Sequence, residues 1–204
     1  FDPPRTRHDG LAFGDLLVAF TDGLIETTRD IDEGERRVAE VLRHPAFGFC
    51  SQPAALLRSL VVPDEPGDDV AILAVRAGGG ACWAFDANDG TAAQAAREAF
   101  VERLAAEGIS ADDRTGFEIV FGEIVGNAAR YTPGPLDLAL ERDGTRLVLA
   151  ALDRGPGFDW DGRPPRDTFA ENGRGLFLIE TLGAGVRVER LGTYGTYLQV
   201  TLTL

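Results

Sequence analysis

The segment S-A-D-D-R-T-G-F-E-I-V-F-G-E-I-V-G-N-A-A-R-Y, Ser110 to Tyr131, decides the fold. Phe117, Val120, Phe121, Ile124, Val125 and Ala128 recur at helical spacing and make a broad apolar stripe. The segment is therefore predicted to be a long helix lying on a core. Glu123 and Asn127 stand i, i+4 and so lie one above the other, about 100° round from the centre of that stripe. That angle puts a carboxylate and an amide at the rim of the core, where a cleft can open. Taken alone, the pair reads as a solvated polar face with no role.

Working outward, Thr91 to Glu107 is alanine-rich and reads as a second helix, with Gly108 as its stop. Leu136 to Glu141 and Thr145 to Asp153 read as a hairpin around Asp143-Gly144. Short strands are expected at Cys82 to Asp86, Val186 to Arg190 and Thr196 to Leu204, and a short helix at Leu176 to Leu182. Phe158 to Asn172, rich in prolines and acids, reads as a mobile lid. Helices followed by mainly antiparallel strands predict an α/β sandwich with the helices on one sheet face.

Ahead of this half lies a glycine run, Gly78 to Gly80. Before it, Leu11 to Thr21 reads as a strand hairpin ending in a turn at Asp22-Gly23. Helices are expected at Glu33 to Leu42 and Pro53 to Leu60, and a β-branched strand at Val70 to Arg76. The division predicted is residues 1–77, a linker at 78–81, and a second domain at 82–204.

Composition narrows the function. A net charge of −13 excludes a run of phosphate contacts with nucleic acid and disfavours an anionic membrane surface. No apolar stretch is long enough to cross a bilayer and no signal peptide is seen, which predicts a cytoplasmic protein. Cys50 and Cys82 are too few and too far apart for a disulfide framework, and both are expected to be buried thiols. The chain has no methionine, so Phe1 is not expected to be a native start, and the sequence reads as part of a longer chain. It has no lysine either, which excludes a Walker-type phosphate loop. A nucleotide site here must rely on backbone amides, arginine and a metal.

Two further signatures supply such parts. D-R-G-P-G-F, Asp153 to Phe158, closes an apolar strand with an acid that needs a donor once buried, and the exocyclic amine of adenine is such a donor. Gly155 and Gly157 let the backbone bend and approach a planar base, although the same residues suit an ordinary turn. G-R-G-L, Gly173 to Leu176, opens a helix whose free N–H groups and dipole suit phosphate oxygens, with Arg174 able to add a charge-assisted contact. Thr196 starts the last strand and can bring a hydroxyl near Asp153.

Together, E-I-V-G-N-A (Glu123 to Ala128), D-R-G-P-G-F and G-R-G-L resemble the asparagine box and two glycine boxes of the GHKL (Bergerat-fold) ATPases, over about residues 81–204. The compact form is similar to the RsbW/SpoIIAB group of anti-sigma factor serine kinases. That resemblance implies an ATP- and Mg2+-dependent protein serine/threonine kinase that phosphorylates an anti-anti-sigma (STAS) partner and also engages a sigma factor. It makes Glu123 the catalytic base, Asn127 the magnesium ligand and Asp153 the adenine-binding acid. Gly155, Gly157, Gly173, Arg174, Gly175, Leu176 and Thr196 become the nucleotide cradle. Tyr131 departs from the family, where many relatives carry histidine.

In the first half, T-D-G-L-I-E (Thr21 to Glu26) and G-D-D-V-A-I-L (Gly67 to Leu73) resemble the last two metal motifs of SpoIIE/RsbU-like PPM phosphatases. On that resemblance Asp22 and Asp68, with Asp69 beside them, are Mn2+ or Mg2+ ligands. The earlier metal motif is missing, so this stretch is expected to be an inactive phosphatase tail. The predicted fold class is thus α+β: a truncated PPM-like α/β piece ahead of a Bergerat-fold sandwich with a mixed, mainly antiparallel sheet. Alternatives are a sensor histidine kinase catalytic domain, though His8 and His44 lack a dimerising helix, and a non-catalytic module that docks a sigma factor or STAS protein. A homodimer is compatible with the sequence.

Overall fold

The computed structural model describes residues 10–26, 30–62, 69–78, 82–143, 146–157, 179, 181–182 and 185–203. Local chemistry sets most of the boundaries. Helix α3 (Gly90–Ala106) starts where the Asp89 carboxylate accepts from the N–H groups of Thr91 and Ala92, both at 3.0 Å. It stops at Gly108, whose φ of +78° is open to glycine at little cost. The amides of Gly108 and Ile109 then bond back to the carbonyls of Ala105 and Leu104, a Schellman ending that buries Ile109. Helix α4 (Ala111–Tyr131) follows at once, capped by the Ser110 hydroxyl on the Asp113 N–H.

A five-stranded antiparallel sheet carries these helices. Its strands are β3 (Cys82–Asp86), β4 (Pro135–Asp143), β5 (Arg146–Asp153), β6 (Gly185–Leu191) and β7 (Gly195–Thr203), in the order β3-β4-β5-β7-β6. Asp143 pairs with Arg146, the register of a two-residue hairpin. Phe117, Val120, Phe121, Ile124 and Ala128 of α4 are buried against Leu136, Leu138, Leu140, Leu147, Leu149, Val200 and Leu202. Phe100 and Phe121 stack at 4.8 Å between ring centres and lock α3 to α4, with Trp83 edge-on to both. Ile179, helical as the sequence predicts for its segment, is fully buried in the same core.

The first half adds β1 (Leu16–Phe20), α1 (Ile31–Val41), α2 (Pro53–Val61) and β2 (Ile72–Arg76). Here the expected hairpin at residues 11–21 is corrected. Only β1 forms there, and it pairs antiparallel with β2, Leu16 opposite Arg76, across more than fifty residues of chain. A continuous apolar run cannot announce a partner so distant.

The back of the five-stranded sheet is covered too. Leu24, Val38, Phe47, Phe49, Cys50, Leu56, Leu57 and Val61 share a second core with Ala139, Ala150, Leu152, Leu191, Tyr194 and Tyr197. Residues on both sides of the glycine run therefore build one interior. The nearly unbroken apolar run of β5, Leu147 to Leu152, serves both faces at once. The cysteine expectation holds for Cys50 and fails for Cys82, which is exposed. Cys82 sits on edge strand β3, where alternation turns Trp83 and Phe85 inward and leaves Cys82 and Ala84 outward. Among the described residues, no helix is long and apolar enough to cross a membrane.

Candidate functional site

Three elements converge at one end of the helix-bearing face. Asp153, last residue of β5, pairs with Thr196 on β7. The period of two puts Asp153 on the side of Leu149 and Ala151, and Thr196 on the side of Leu198, the face that α4 covers. The third element is Thr132, which ends α4 and whose hydroxyl donates to the Ala128 carbonyl at 3.3 Å.

Asp153 is largely buried, and burial pushes its carboxyl above the usual aspartate range. The Gly155 N–H, donating to Oδ1 at 2.7 Å, opposes that shift most, with smaller help from the Thr196 and Thr132 side chains and the Thr196 amide. The Thr196 hydroxyl is itself buried without a well-formed hydrogen bond, although it is close enough to the carboxylate to draw the pKa down. An acid and a hydroxyl with unspent hydrogen-bonding capacity thus stand together where a donor-bearing planar group would meet them.

Glycine is required around them by space. A Cβ at Gly155 would overlap the Thr132 methyl and crowd Asp153 Oδ1, and one at Gly195 would overlap the Asp153 carbonyl. Gly157 has φ +78°, with the Arg190 side chain where a Cβ would go.

Glu123 and Asn127 both lie on α4, half-buried, on adjacent turns. Counted from Thr132, Asn127 is about 7–8 Å back along the helix axis and Glu123 about 13–14 Å. Asn127 and Glu123 thus lie progressively further along α4 from the helix end that meets Asp153. Gly173, Arg174, Gly175 and Leu176, and the lid at Phe158 to Asn172, lie outside the described residues.

In the first half, Asp22 opens a 3-10 turn, Asp22–Leu24, and its carboxylate accepts from the Gly23 N–H at 3.0 Å. Thr21 joins this turn to the second motif, with its hydroxyl on the Asp69 carbonyl at 3.4 Å and accepting from the Ala71 N–H at 3.0 Å. The two motifs are thus brought together, but Asp68 is outside the described residues. No group of three or more acidic, histidine or cysteine side chains fit to hold a metal occurs among the described residues.

Sequence reasoning missed Thr132, Asp137, Arg154 and Tyr194. Arg154 sends its side chain to the back of the sheet, 3.6 Å from Asp137 Oδ2 and 3.6 Å from the centre of the Tyr194 ring. The unbroken apolar run of β5 was the available signal, since a strand apolar on both sides is covered on both sides.

The family described as histidine kinase-like ATPase domain matches residues 85–202, and the family described as Stage II sporulation protein E (SpoIIE) matches residues 2–78. No curated protein matches. Among solved structures, a mycobacterial sensor histidine kinase, MprB, is 18% identical with a TM-score of 0.36, over 44% of this chain and 71% of that one. Acinetobacter baumannii histidine kinase AdeS is 20% identical with a TM-score of 0.37, over 60% and 66%. The histidine kinase domain of a blue-light activated histidine kinase from Erythrobacter litoralis is 17% identical with a TM-score of 0.39, over 85% and 93%.

Proposed function

The chain belongs to the histidine kinase-like ATPase domain family, and from that premise we propose that it binds ATP with Mg2+ along α4 and phosphorylates a serine or threonine of a STAS-type partner, acting as an anti-sigma module. The observation that carries the reading is the Asp153–Thr196 pair beside Thr132 and Gly155. Its unspent acceptors suit the amine edge of adenine, and the absent Cβ atoms at Gly155 and Gly195 preserve its shape. Asn127 would offer a hard amide oxygen to a magnesium ion arriving with the nucleotide. In this reading Glu123, one turn further, orients a partner hydroxyl and accepts its proton. ATP supplies the phosphoryl group, and magnesium neutralises its charge.

The match to SpoIIE in the first half puts a phosphatase-type segment on the kinase-like chain, and an intact phosphatase there would let the two act on one phosphoprotein in both directions. In this reading His44 is not a phosphoacceptor. It caps a 3-10 turn, accepts from the Ala46 N–H at Nδ1, and is held edge-on to Tyr197 beside Glu189, which is not the display that a phosphoacceptor needs.

Calorimetry of ATP binding, with and without Mg2+, on the wild type and Asp153→Asn tests the reading. Magnesium-dependent binding that the variant loses is the expected result, followed by phosphotransfer to a STAS protein. Absence of binding in the wild type would leave a docking module without nucleotide chemistry.

A further inference from the structure

Asp153 and Thr196 face the helices, but the residues beside them face the other way. Leu152 precedes Asp153 and Tyr197 follows Thr196, and both are buried in the back core with the first half of the chain. Arg154 follows Asp153 and lies over the Tyr194 ring, with its Nη2 3.6 Å from Asp137 Oδ2. Asp137 is 2% exposed, and Asp137 Oδ1 and both Arg154 Nη atoms make no hydrogen bond. What closes over this charge pair is the loop before α2. The Ser51 N–H donates to Asp137 Oδ2 at 3.3 Å, Cys50 Sγ meets the Tyr194 hydroxyl at 2.9 Å, and that hydroxyl donates to the Gln52 carbonyl at 3.5 Å. Burial pushes both the Cys50 thiol and the Tyr194 phenol up, so each keeps its proton and the ring of contacts stays neutral.

The two strand ends thus serve two faces: a nucleotide face in front and a docking face behind. We infer that Arg154 is a positioning residue that ties Asp153 to the Cys50–Gln52 loop, so that docking of the SpoIIE-like segment on the back of the sheet sets nucleotide affinity. Undocking the loop admits water to Asp137 and Arg154 and frees the backbone next to Asp153. By linkage, nucleotide must strengthen docking by the factor by which docking strengthens nucleotide binding. The inference rests on the nucleotide-binding reading above.

The two thiols make the test direct, because Cys50 is buried in the docked loop and Cys82 is exposed. In the full chain, maleimide labelling of each is followed by peptide mass spectrometry with and without Mg-ATP. Exchange of the Leu149 amide reports global opening in the same samples. Expected in the wild type is Cys50 labelling slowed about fivefold or more by Mg-ATP, beyond any change at Leu149. Arg154→Met should label faster at Cys50 and bind Mg-ATP at least about fivefold more weakly, with Arg154→Lys recovering part of both. Tyr194→Phe, which removes one hydroxyl and keeps the ring over Arg154, should shift both in the same direction and carries the test should Arg154→Met not fold. Faster Cys50 labelling with wild-type ATP affinity overturns the inference, as does a loss of thermal stability alone. Equal protection of Cys50 and Leu149 overturns it too. A wild type that binds no ATP overturns the nucleotide reading, and the inference with it.

Discussion

Asp153 and Thr196 stand directly opposite each other on antiparallel β5 and β7, an acid and an under-used hydroxyl on the face that α4 covers. Burial raises the Asp153 pKa in the folded chain, so folding disfavours its charged form. The sign for stability follows. The folded state binds this proton more tightly than the unfolded state, so stability is greatest below the ordinary aspartate value of 3.8 and declines as pH rises through the higher folded value. Above the folded value the penalty is complete. Asp153→Asn keeps the oxygen that accepts from Gly155 and removes the charge. The variant should therefore melt above the wild type at pH 7, with the gap closing towards pH 4 and below, while losing ATP binding. Thermal melts of both proteins across that range check it, and a variant less stable at pH 7 contradicts it.

Gly155→Ala should cost about 1–3 kcal/mol, because its Cβ overlaps the Thr132 methyl. For a chain of this size that is roughly 2–4 °C of Tm per kcal/mol. The clash is with a side chain, so Thr132→Ser, which deletes that methyl, should restore part of the loss in the double variant. Gly195→Ala overlaps the backbone carbonyl of Asp153 instead, and no side-chain change should rescue it. Urea melts of the single and double variants separate the two cases.

Glu123 lies some nine residues up α4 from Thr132, far from the acid that holds the proposed adenine end. Glu123→Gln keeps size and removes the base, so Mg-ATP affinity should stay within about twofold of the wild type. Turnover should fall about 10²- to 10⁴-fold. Full turnover by the variant would remove Glu123 from the chemistry.

What the sequence made legible was local. Gly108 as a stop depends on neighbours within a few positions and stands where it is expected, and the hairpin expected around Asp143-Gly144 forms with Asp143 itself still in its strand, paired with Arg146. The row from Glu123 to Asn127 could be read because helical periodicity fixes it, and Asp153 because it closes an apolar strand. The pairing of β1 with β2 was hidden, since nothing near Leu16 specifies Arg76 as its opposite. Asp137 was hidden for a related reason. It alternates with Leu136 and Leu138 and so reads as solvent-facing, until the Cys50–Gln52 loop arrives from elsewhere in the chain to cover it. Cys82 is the reverse case, because the alternation of C-W-A-F-D already turned it outward.

The pair formed by Asp137 and Arg154 yields the sharpest stability test. Its charges are 3.6 Å apart and buried, with three of their polar atoms unbonded, so its desolvation is poorly compensated. Arg154→Met strands the Asp137 carboxylate in the back core and should cost about 3–5 kcal/mol. Adding Asp137→Leu removes the stranded charge, and the double variant should return to within about 1 kcal/mol of the wild type or exceed it. Denaturant melts of the wild type, both single variants and the double variant give the coupling energy directly. Additive losses would mean that the two charges do not interact across the back of the sheet, and that the Cys50–Gln52 loop is held there by its apolar neighbours alone.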